Sequence, residues 1–216
     1  MSDFEKFYGK DSDSFYYPEP SSVLEKYIDL ITGENLTALD LGCGDGRNAI
    51  FAAKKNFQVT CCDLSQSAIE KIRKIAIQEN LKISAQVEDV NRLNFENSNF
   101  DLIIASTIFD HLEKDDCKKL IANAKQWLKL SGFIYVGVFT VDDPAYKIRH
   151  GLLPESEKGM VSETGDYIKT FFERNELKEC FSEFKEIYYY EGLKEDLTHG
   201  NPHFHGLARI VCQKIK

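Results

Sequence analysis

The 216-residue sequence predicts a doubly wound α/β domain built on a mostly parallel sheet. From residue 36 onward, short β-type runs alternate with amphipathic helical patterns, which is typical of consecutive βαβ units. Apolar residues make up 43% of the chain, which is enough to bury a large core. Because no repeat, low-complexity tract or linker interrupts the chain, we expect a single domain over residues 1–216.

Five strands are predicted in the central part of this domain, each from a short apolar or β-branched run. Their ranges are 36–41, 57–62, 82–87, 100–106 and 133–141. Helices are expected at 22–31, 47–55, after Ser65 and at 114–130, where apolar residues recur at helical spacing. Ser131-Gly132 then predicts the end of the last of these helices.

The regions on either side of this core have different patterns. Residues 1–35 contain an aromatic-rich segment and one helix, and we expect them to form a lid. Residues 142–170 contain several prolines and glycines, which indicates a long excursion over the substrate site. Residues 171–216 predict a short helix at 174–180 and a closing hairpin from β-type runs at 186–190 and 207–213.

Charge and composition exclude several classes of function. The net charge is −8 and the basic residues are dispersed, so we expect no nucleic-acid partner. The N-terminus is polar and acidic, and no apolar run approaches the ~20 residues of a membrane span, which together favour a cytoplasmic protein without a membrane partner. Six cysteines lack paired metal spacing, so they are interpreted as small apolar residues and no metal is expected. A monomer and a homodimer both remain open.

The most informative segment is the turn Asp40-Leu41-Gly42-Cys43-Gly44-Asp45-Gly46, which joins the first strand to a helix. Glycines at alternate positions permit positive φ and let a ligand approach the backbone closely. The spacing differs from the Gly-x-Gly-x-x-Gly of dinucleotide sites, and a Walker phosphate loop is also excluded. The turn therefore suits S-adenosylmethionine, a nucleoside that carries no phosphate; a plain tight turn is the alternative.

Two acidic residues end the next two strands and extend this hypothesis. Asp63 follows Gly46 by 17 residues, close to the ~20-residue offset of a carboxylate that binds a ribose diol. Asp89 follows the third strand, where it can accept from the adenine amine. Either side chain can instead cap the helical turn that follows it, and for Asp63 the two roles can coexist. Ligands in open α/β sheets bind at this carboxyl edge.

The segment DLGCGDGRNAIFAAKKNFQVTCCDLS resembles the class I S-adenosylmethionine-dependent methyltransferases, and within them the tellurite-resistance methyltransferase family. The resemblance covers roughly residues 36–141 and includes Arg47-Asn48 directly after the last glycine. It implies a Rossmann-like, seven-stranded, mostly parallel sheet with an antiparallel last strand and helices on both faces. It also implies a cofactor site for S-adenosylmethionine, with S-adenosylhomocysteine as product. The site residues are Asp40, Gly42, Cys43, Gly44, Gly46, Arg47, Asn48, Asp63, Leu64, Asp89, Val90 and Ser106.

Histidines near the C-terminus are the first candidates for the acceptor side. His199, His203 and His205 fall within seven residues, and the last two should project from one face of an incipient strand. Their turn should lie at the cofactor edge of the sheet. They can bind an anionic substrate or act as a base, hold a transition metal, or form a hairpin turn with solvated imidazoles.

A second group of acceptor-side candidates comes from other elements. His111 follows the fourth strand directly and, with His203 and His205, is a candidate catalytic base. The candidate substrate residues are Tyr8, Tyr16, Tyr17, Asp110, Phe139, Arg149 and His199. Capping, core packing and plain surface exposure are the alternatives for these side chains.

Three functions are compatible with the sequence. The first is methyl transfer to a small soft nucleophile, such as a thiol or a selenium or tellurium oxyanion, as the family resemblance implies. The second is N- or O-methylation of a metabolite with a histidine base. The third is a module that binds S-adenosylmethionine without catalysis. Bulky residues in the N-terminal segment and the excursion favour a closed pocket and a small acceptor.

Overall fold

The computed structural model describes Glu5, Tyr8 and residues 19–154, 168–196 and 202–216. The predictions for Tyr16, Tyr17 and His199 lie outside these residues. The strands are β1 (Thr37–Leu41), β2 (Gln58–Asp63), β3 (Ile83–Val87), β4 (Phe100–Ser106), β5 (Leu128–Phe139), β6 (Lys185–Asp196) and β7 (His203–Gln213). The helices are α1 (Ser22–Tyr27), α2 (Arg47–Lys54), α3 (Gln66–Gln78), α4 (Lys114–Trp127), α5 (Pro144–Arg149) and α6 (Glu176–Cys180).

One sheet holds all seven strands in the order β3-β2-β1-β4-β5-β7-β6. The first five are parallel to one another, and β7 runs antiparallel between β5 and β6. The chain order reverses between β1 and β4, which is where open α/β sheets form their ligand crevice. Because β7 runs antiparallel, its first residues lie at the same edge of the sheet as the carboxyl ends of the parallel strands. The predicted fold is confirmed.

Helices cover both faces of the sheet because each carries one apolar stripe. On one face, α4 and α6 bury residues such as Leu120 and Leu177. On the other, α1, α2 and α3 bury Leu24, Ala49 and Ile69. Strands covered on both faces have continuously apolar sequences, which is why β4 and β5 could be predicted from the sequence.

The prediction for the junction of α4 and β5 was wrong. The helix ends at Trp127 and the strand begins at once, so Ser131-Gly132 lies inside β5 and does not end the helix. Ser131 has a φ of 65°, and its amide donates to the Lys214 carbonyl while the Lys214 amide donates to Gly132. Pairing with the last residues of the chain thus keeps this irregular stretch within the sheet, a long-range contact that local turn signals do not encode.

The C-terminal hairpin is longer than predicted, because β6 and β7 pair from Lys185↔Gln213 to Asp196↔His203. The predicted excursion begins with a helix, α5, which follows β5 closely and has Asp143 as its N-cap. Thr140 also pairs with Phe172, which returns the chain to the sheet after the excursion. No helix within the described ranges is long and apolar enough to cross a membrane.

Candidate active site

The glycine turn between β1 and α2 adopts a backbone that only glycine accepts readily. Gly42, Gly44 and Gly46 have φ values of 62°, 55° and 92°. The amide of Cys43 donates to the carbonyl of Cys62 at 2.9 Å, and the amide of Gly44 donates to Asp63 at 2.9 Å. These bonds tie the turn to the end of β2, so the predicted cofactor loop and the predicted ribose carboxylate form one unit.

Asp40, at the end of β1, is 1% exposed. Its Oδ2 atom has no hydrogen-bond partner among the described residues. Burial raises the pKa of this carboxyl to about 8, although the nearby Arg47 guanidinium opposes the rise. A buried carboxylate oxygen without a donor is costly, and a cationic ligand would compensate for that cost. The α-ammonium and sulfonium of S-adenosylmethionine supply such charge.

Asp63 ends β2 beside the glycine turn. Its Oδ2 accepts from Gly44 and its Oδ1 accepts from the Ser65 amide, both at 2.9 Å. Burial raises its pKa, against these backbone donors. A carboxylate has about four acceptor positions, so two remain for the ribose hydroxyls. The cap of α3 is formed by the Ser65 hydroxyl, which accepts from the Ala68 amide at 3.2 Å, as the position of Ser65 before the helix predicts, and not by Asp63.

The other predicted cofactor residues follow the ends of β2, β3 and β4. Leu64 is 52% exposed beside Asp63, an apolar surface on which a flat base can lie. Asp89 caps the short turn that starts at Val90 by accepting from the Asn91 amide at 2.9 Å, as its alternative interpretation predicted. Val90 is buried, and Ser106 is half-buried at the end of β4. Their cofactor roles stay predictions.

Three predicted cofactor residues have structural contacts of their own. Asn48 is buried, and its Oδ1 accepts from the Ser21 amide at 2.9 Å, which fastens the segment before α1 to the first turn of α2. Cys43 is buried and burial raises the pKa of its thiol well above the usual range, so it serves as a small apolar residue. Arg47 is half-buried and its charge acts on Asp40.

Two residues near the N-terminus lie directly on this site. A Cβ added at Gly44 would come within 2.5 Å of the Tyr8 hydroxyl, so Tyr8 packs on the glycine turn. The Glu5 carboxylate accepts from the hydroxyl of Ser65 at 2.6 Å and also from that of Ser67, and these bonds lower its pKa. Sequence reasoning selected Tyr8 but missed Glu5, which no local motif distinguishes from other surface acids.

Together these features fit S-adenosylmethionine. The orphaned Asp40 oxygen would face its cationic amino-acid end, the glycine turn would leave space for its methionine portion, and Asp63 has capacity to accept from the ribose hydroxyls. When bound, the cofactor supplies an activated methyl group on a sulfonium. The residues of this chain would bind it, orient it and exclude water from it.

On the acceptor side, the structure brings the predicted histidines together with one residue that was missed. His203 and His205 are 4% and 6% exposed, with their Nε2 atoms 3.0 Å apart. The interpretation of a turn with solvated imidazoles is therefore wrong for these two. Nδ1 of His205 lies 3.0 Å from Oδ2 of Asp143. An available signal for Asp143 was its position before Pro144, which marks a helix N-cap at the end of a strand.

Asp110 and His111 lie in the helical turn after β4, as expected, but their environments differ. Asp110 is fully buried; its Oδ1 accepts from the Phe139 amide at 2.9 Å, and its Oδ2 has no partner among the described residues. Burial raises its pKa well above the usual range, and the nearby charge of Asp143 adds to the rise. His111 is half-buried. The backbone carbonyl of Asp110 accepts from the amides of Lys169 and Thr170, so it anchors the chain where the excursion ends.

The remaining substrate candidates lie at different distances from the histidines. The Phe139 ring packs on His205 with centroids 4.8 Å apart, at the end of β5. Arg149 is exposed, donates to the carbonyl of Ile168 at 2.8 Å and lies over the Phe171 ring. Its contacts therefore join the two ends of the excursion, and its substrate role stays a prediction.

Comparison with known proteins shows similarity to methyltransferases. Residues 38–132 match the family model of a methyltransferase domain. A Haemophilus influenzae relative, described as a probable S-adenosyl-L-methionine-dependent methyltransferase TehB, is 27% identical over 158 residues, covering 73% of this chain and 49% of the relative. A Coxiella burnetii ubiquinone biosynthesis O-methyltransferase is 30% identical over 122 residues, covering 56% of this chain and 51% of that protein. These matches support a class I S-adenosylmethionine-dependent methyltransferase, with S-adenosylmethionine as its cofactor.

The chain is also similar in fold to a solved structure of TehB. The crystal structure of TehB from Haemophilus influenzae superposes with a TM-score of 0.73, covering 98% of this chain and 67% of that one at 23% identity. The chain spans about half the length of the curated relatives it matches.

Proposed function

We propose that this protein transfers the methyl group of S-adenosylmethionine to a small, soft nucleophile, either a thiol or a selenium or tellurium oxyanion. The observation that carries the proposal is the contact of the chain's own N-terminal residues with the cofactor loop. Tyr8 packs on Gly44, and Glu5 is bonded to Ser65 and Ser67. A cofactor loop covered by its own chain leaves room for a small acceptor and little for a macromolecule.

Methyl transfer to a soft acceptor requires little chemistry from the protein. A lone pair on sulfur, selenium or tellurium attacks the methyl carbon in line, and the electrons of the broken carbon–sulfur bond return to the cofactor sulfur. The sulfonium thereby becomes the neutral thioether of S-adenosylhomocysteine. A thiolate or oxyanion carries no proton that must be removed, so positioning and exclusion of water suffice.

An assay of product formation tests this proposal. Purified protein is mixed with S-adenosylmethionine and a panel containing a thiol, selenite, tellurite, a catechol and an amine, and S-adenosylhomocysteine is measured. We expect product with the soft acceptors, and much less at the same cofactor concentration with Asp40→Asn, which removes the anionic contact to the cofactor. Product formation with the catechol or the amine alone would contradict the soft-nucleophile assignment. Cofactor binding without product on any acceptor would favour the non-catalytic module.

A second candidate function is favoured by one observation, the row Asp143–His205–His203. A carboxylate that orients one imidazole toward another is an arrangement suited to a general base, as methylation of a hydroxyl or amine requires. In that case His205→Gln should lower kcat for the catechol or amine and leave the Kd of S-adenosylhomocysteine unchanged. A similar decrease in kcat and in the affinity for S-adenosylhomocysteine would indicate a structural role.

We also infer a reducing, cytoplasmic location. Cys43, Cys61, Cys62, Cys117, Cys180 and Cys212 are all free thiols, and five of them are buried. Free cysteines of this kind are typical of proteins that function among cellular reductants. A monomer and a homodimer both agree with the proposed closed pocket, and sedimentation of the purified protein distinguishes them.

A further inference from the structure

We propose that Asp196, His203 and His205 form a binding site for a divalent first-row transition-metal ion, with Zn²⁺ as the reference ion. The three side chains lie at the ends of β6 and β7, outside the glycine turn that holds the cofactor. One ligand atom from each lies within 4.8 Å of the other two.

The hairpin places these side chains on one face. Asp196 and His203 are direct partners in the antiparallel pair, and directly opposed residues project to the same side of a sheet. His205 follows His203 by two positions and therefore shares that side. The carboxylate and the two imidazoles thus converge because of strand register, although His203 and Asp196 are seven residues apart in sequence.

The distance between the two imidazoles fits shared coordination. Their Nε2 atoms are 3.0 Å apart. Two nitrogens bound at about 2.05 Å would be about 2.9 Å apart at a right angle and about 3.3 Å apart at a tetrahedral angle. The pair therefore already has the spacing of two neighbouring ligands of one ion.

Asp143 orients one of these rings in the manner of a typical outer-shell carboxylate. Its Oδ2 lies 3.0 Å from Nδ1 of His205 and also accepts from the Gly206 amide at 3.0 Å. Its Oδ1 accepts from the Ala145 amide at 2.8 Å, so both oxygens are fixed by backbone. Because the carboxylate accepts the proton of Nδ1, the lone pair of His205 lies on Nε2, toward His203.

The donor set and burial indicate the kind of ion. Two imidazole nitrogens with one carboxylate oxygen suit zinc, iron, cobalt or nickel better than calcium or magnesium. Both histidines are buried while Asp196 is half-buried, so an ion can enter from the Asp196 side. Three protein ligands leave an open position, which an anionic oxygen or thiolate of the acceptor can occupy. This last role rests on the proposed methyl transfer, whereas the metal site itself does not.

Metal titration tests the site directly. Protein without a polyhistidine tag is stripped with a chelator and titrated with CoCl₂, and the visible d–d absorption is recorded before displacement by ZnCl₂. We expect one equivalent of Co²⁺, loss of binding in His203→Ala and His205→Ala, and affinity about 10–100-fold lower in Asp143→Asn. The proposal would be overturned if the wild type bound no Co²⁺, or if both histidine variants bound as much Co²⁺ as the wild type.

A matched pair of carboxylate variants keeps the test valid if the histidine variants do not fold. Asp196→Asn removes the proposed ligand at the end of β6, whereas Glu195→Gln changes the neighbouring exposed acid on the opposite side of the strand. Zn²⁺ should raise the melting temperature of the wild type and of the Glu195 variant but not that of the Asp196 variant. Equal shifts in both variants would exclude Asp196 as a ligand.

The acceptor role has its own readout. Loading with Zn²⁺ should lower the KM of the acceptor and leave the Kd of S-adenosylhomocysteine unchanged. An unchanged KM in protein shown to hold one equivalent would refute this role. Because the titration uses neither cofactor nor acceptor, a failed titration would leave the proposed methyl transfer untouched.

Discussion

Asp40 and Asp63 end neighbouring strands, yet their carboxylates are bound differently. Both oxygens of Asp63 accept from backbone amides of the surrounding loops. Asp40 has an oxygen with no partner among the described residues, and its pKa is raised to about 8. A carboxyl with this pKa is mostly neutral at pH 7, and a cationic ligand shifts it to the ionised form.

Binding of S-adenosylhomocysteine should therefore release a proton below pH 8, because the α-ammonium favours ionised Asp40. The affinity should rise from pH 6 to pH 8 and level off above the pKa of the free protein. Calorimetric titration in two buffers of different ionisation enthalpy measures the released proton. Asp40→Asn should bind weakly and without this proton, and a proton release that persists in the variant would assign it to another group.

Replacing Asp63 tests the ribose assignment. Asp63→Ala should weaken binding of S-adenosylhomocysteine by about 1–3 kcal/mol, since charged hydrogen bonds to the ligand and the Gly44 tether are both lost. Asp63→Asn keeps an acceptor but removes the charge, so its loss should be smaller. Binding constants for both variants, with circular dichroism as the check of folding, give the answer. Unchanged affinity in a folded Asp63→Ala protein would contradict this placement of the ribose.

At the scale of elements, the start of β7 packs directly on the turn between β5 and α5. A Cβ added at Gly206 would lie 2.2 Å from the Asp143 amide nitrogen and 2.4 Å from the Asp142 carbonyl carbon. Both atoms are backbone, so neither can move aside as the end of a flexible side chain would. This contact joins the histidine strand to the helix cap that holds His205.

Gly206→Ala should accordingly destabilise the protein by at least about 2 kcal/mol, because the added methyl group forces two backbones apart. Urea denaturation measures the change in the free energy of unfolding. Gly137→Ala is a matched control in β5, since its added Cβ would meet its nearest neighbour, the Tyr135 hydroxyl, at 3.4 Å. If the two variants were equally stable, the close approach at Gly206 would not limit packing.

At the scale of the whole molecule, the cofactor loop belongs to the main sheet and not to a separate lobe. Asp40 lies one residue before the end of β1, which pairs with β2 and β4 near the centre of the seven strands. A ligand held here by the ends of several strands is coupled to global unfolding, since unfolding of the sheet removes every contact at once.

S-adenosylhomocysteine at 100 times its Kd should therefore stabilise the protein by about 2.7 kcal/mol. For a domain of this size that corresponds to a rise in melting temperature of about 5–10 °C. Thermal denaturation with and without ligand measures it, and NADH is the control because the glycine spacing differs from that of dinucleotide sites. A rise with NADH and none with S-adenosylhomocysteine would contradict the assigned cofactor.

Local patterns predicted much of the fold because parallel strands buried on both faces have a strong apolar signal. The boundaries that were wrong depend on contacts distant in sequence. Ser131-Gly132 stays in β5 through its pairing with Lys214, and β6 extends to Asp196 through its pairing with β7. Local propensity contains no information about either partner.

The sequence alone determined the class of ligand, because glycine spacing and acids at strand ends are local features with a direct physical meaning. It also identified His203 and His205, but it left base, metal ligand and solvated turn as alternatives. Only the tertiary structure buried both rings, set their nitrogens 3.0 Å apart and brought Asp143 and Asp196 to them. Those contacts follow from strand register and from the packing of α5 on β7, which join residues up to 62 positions apart.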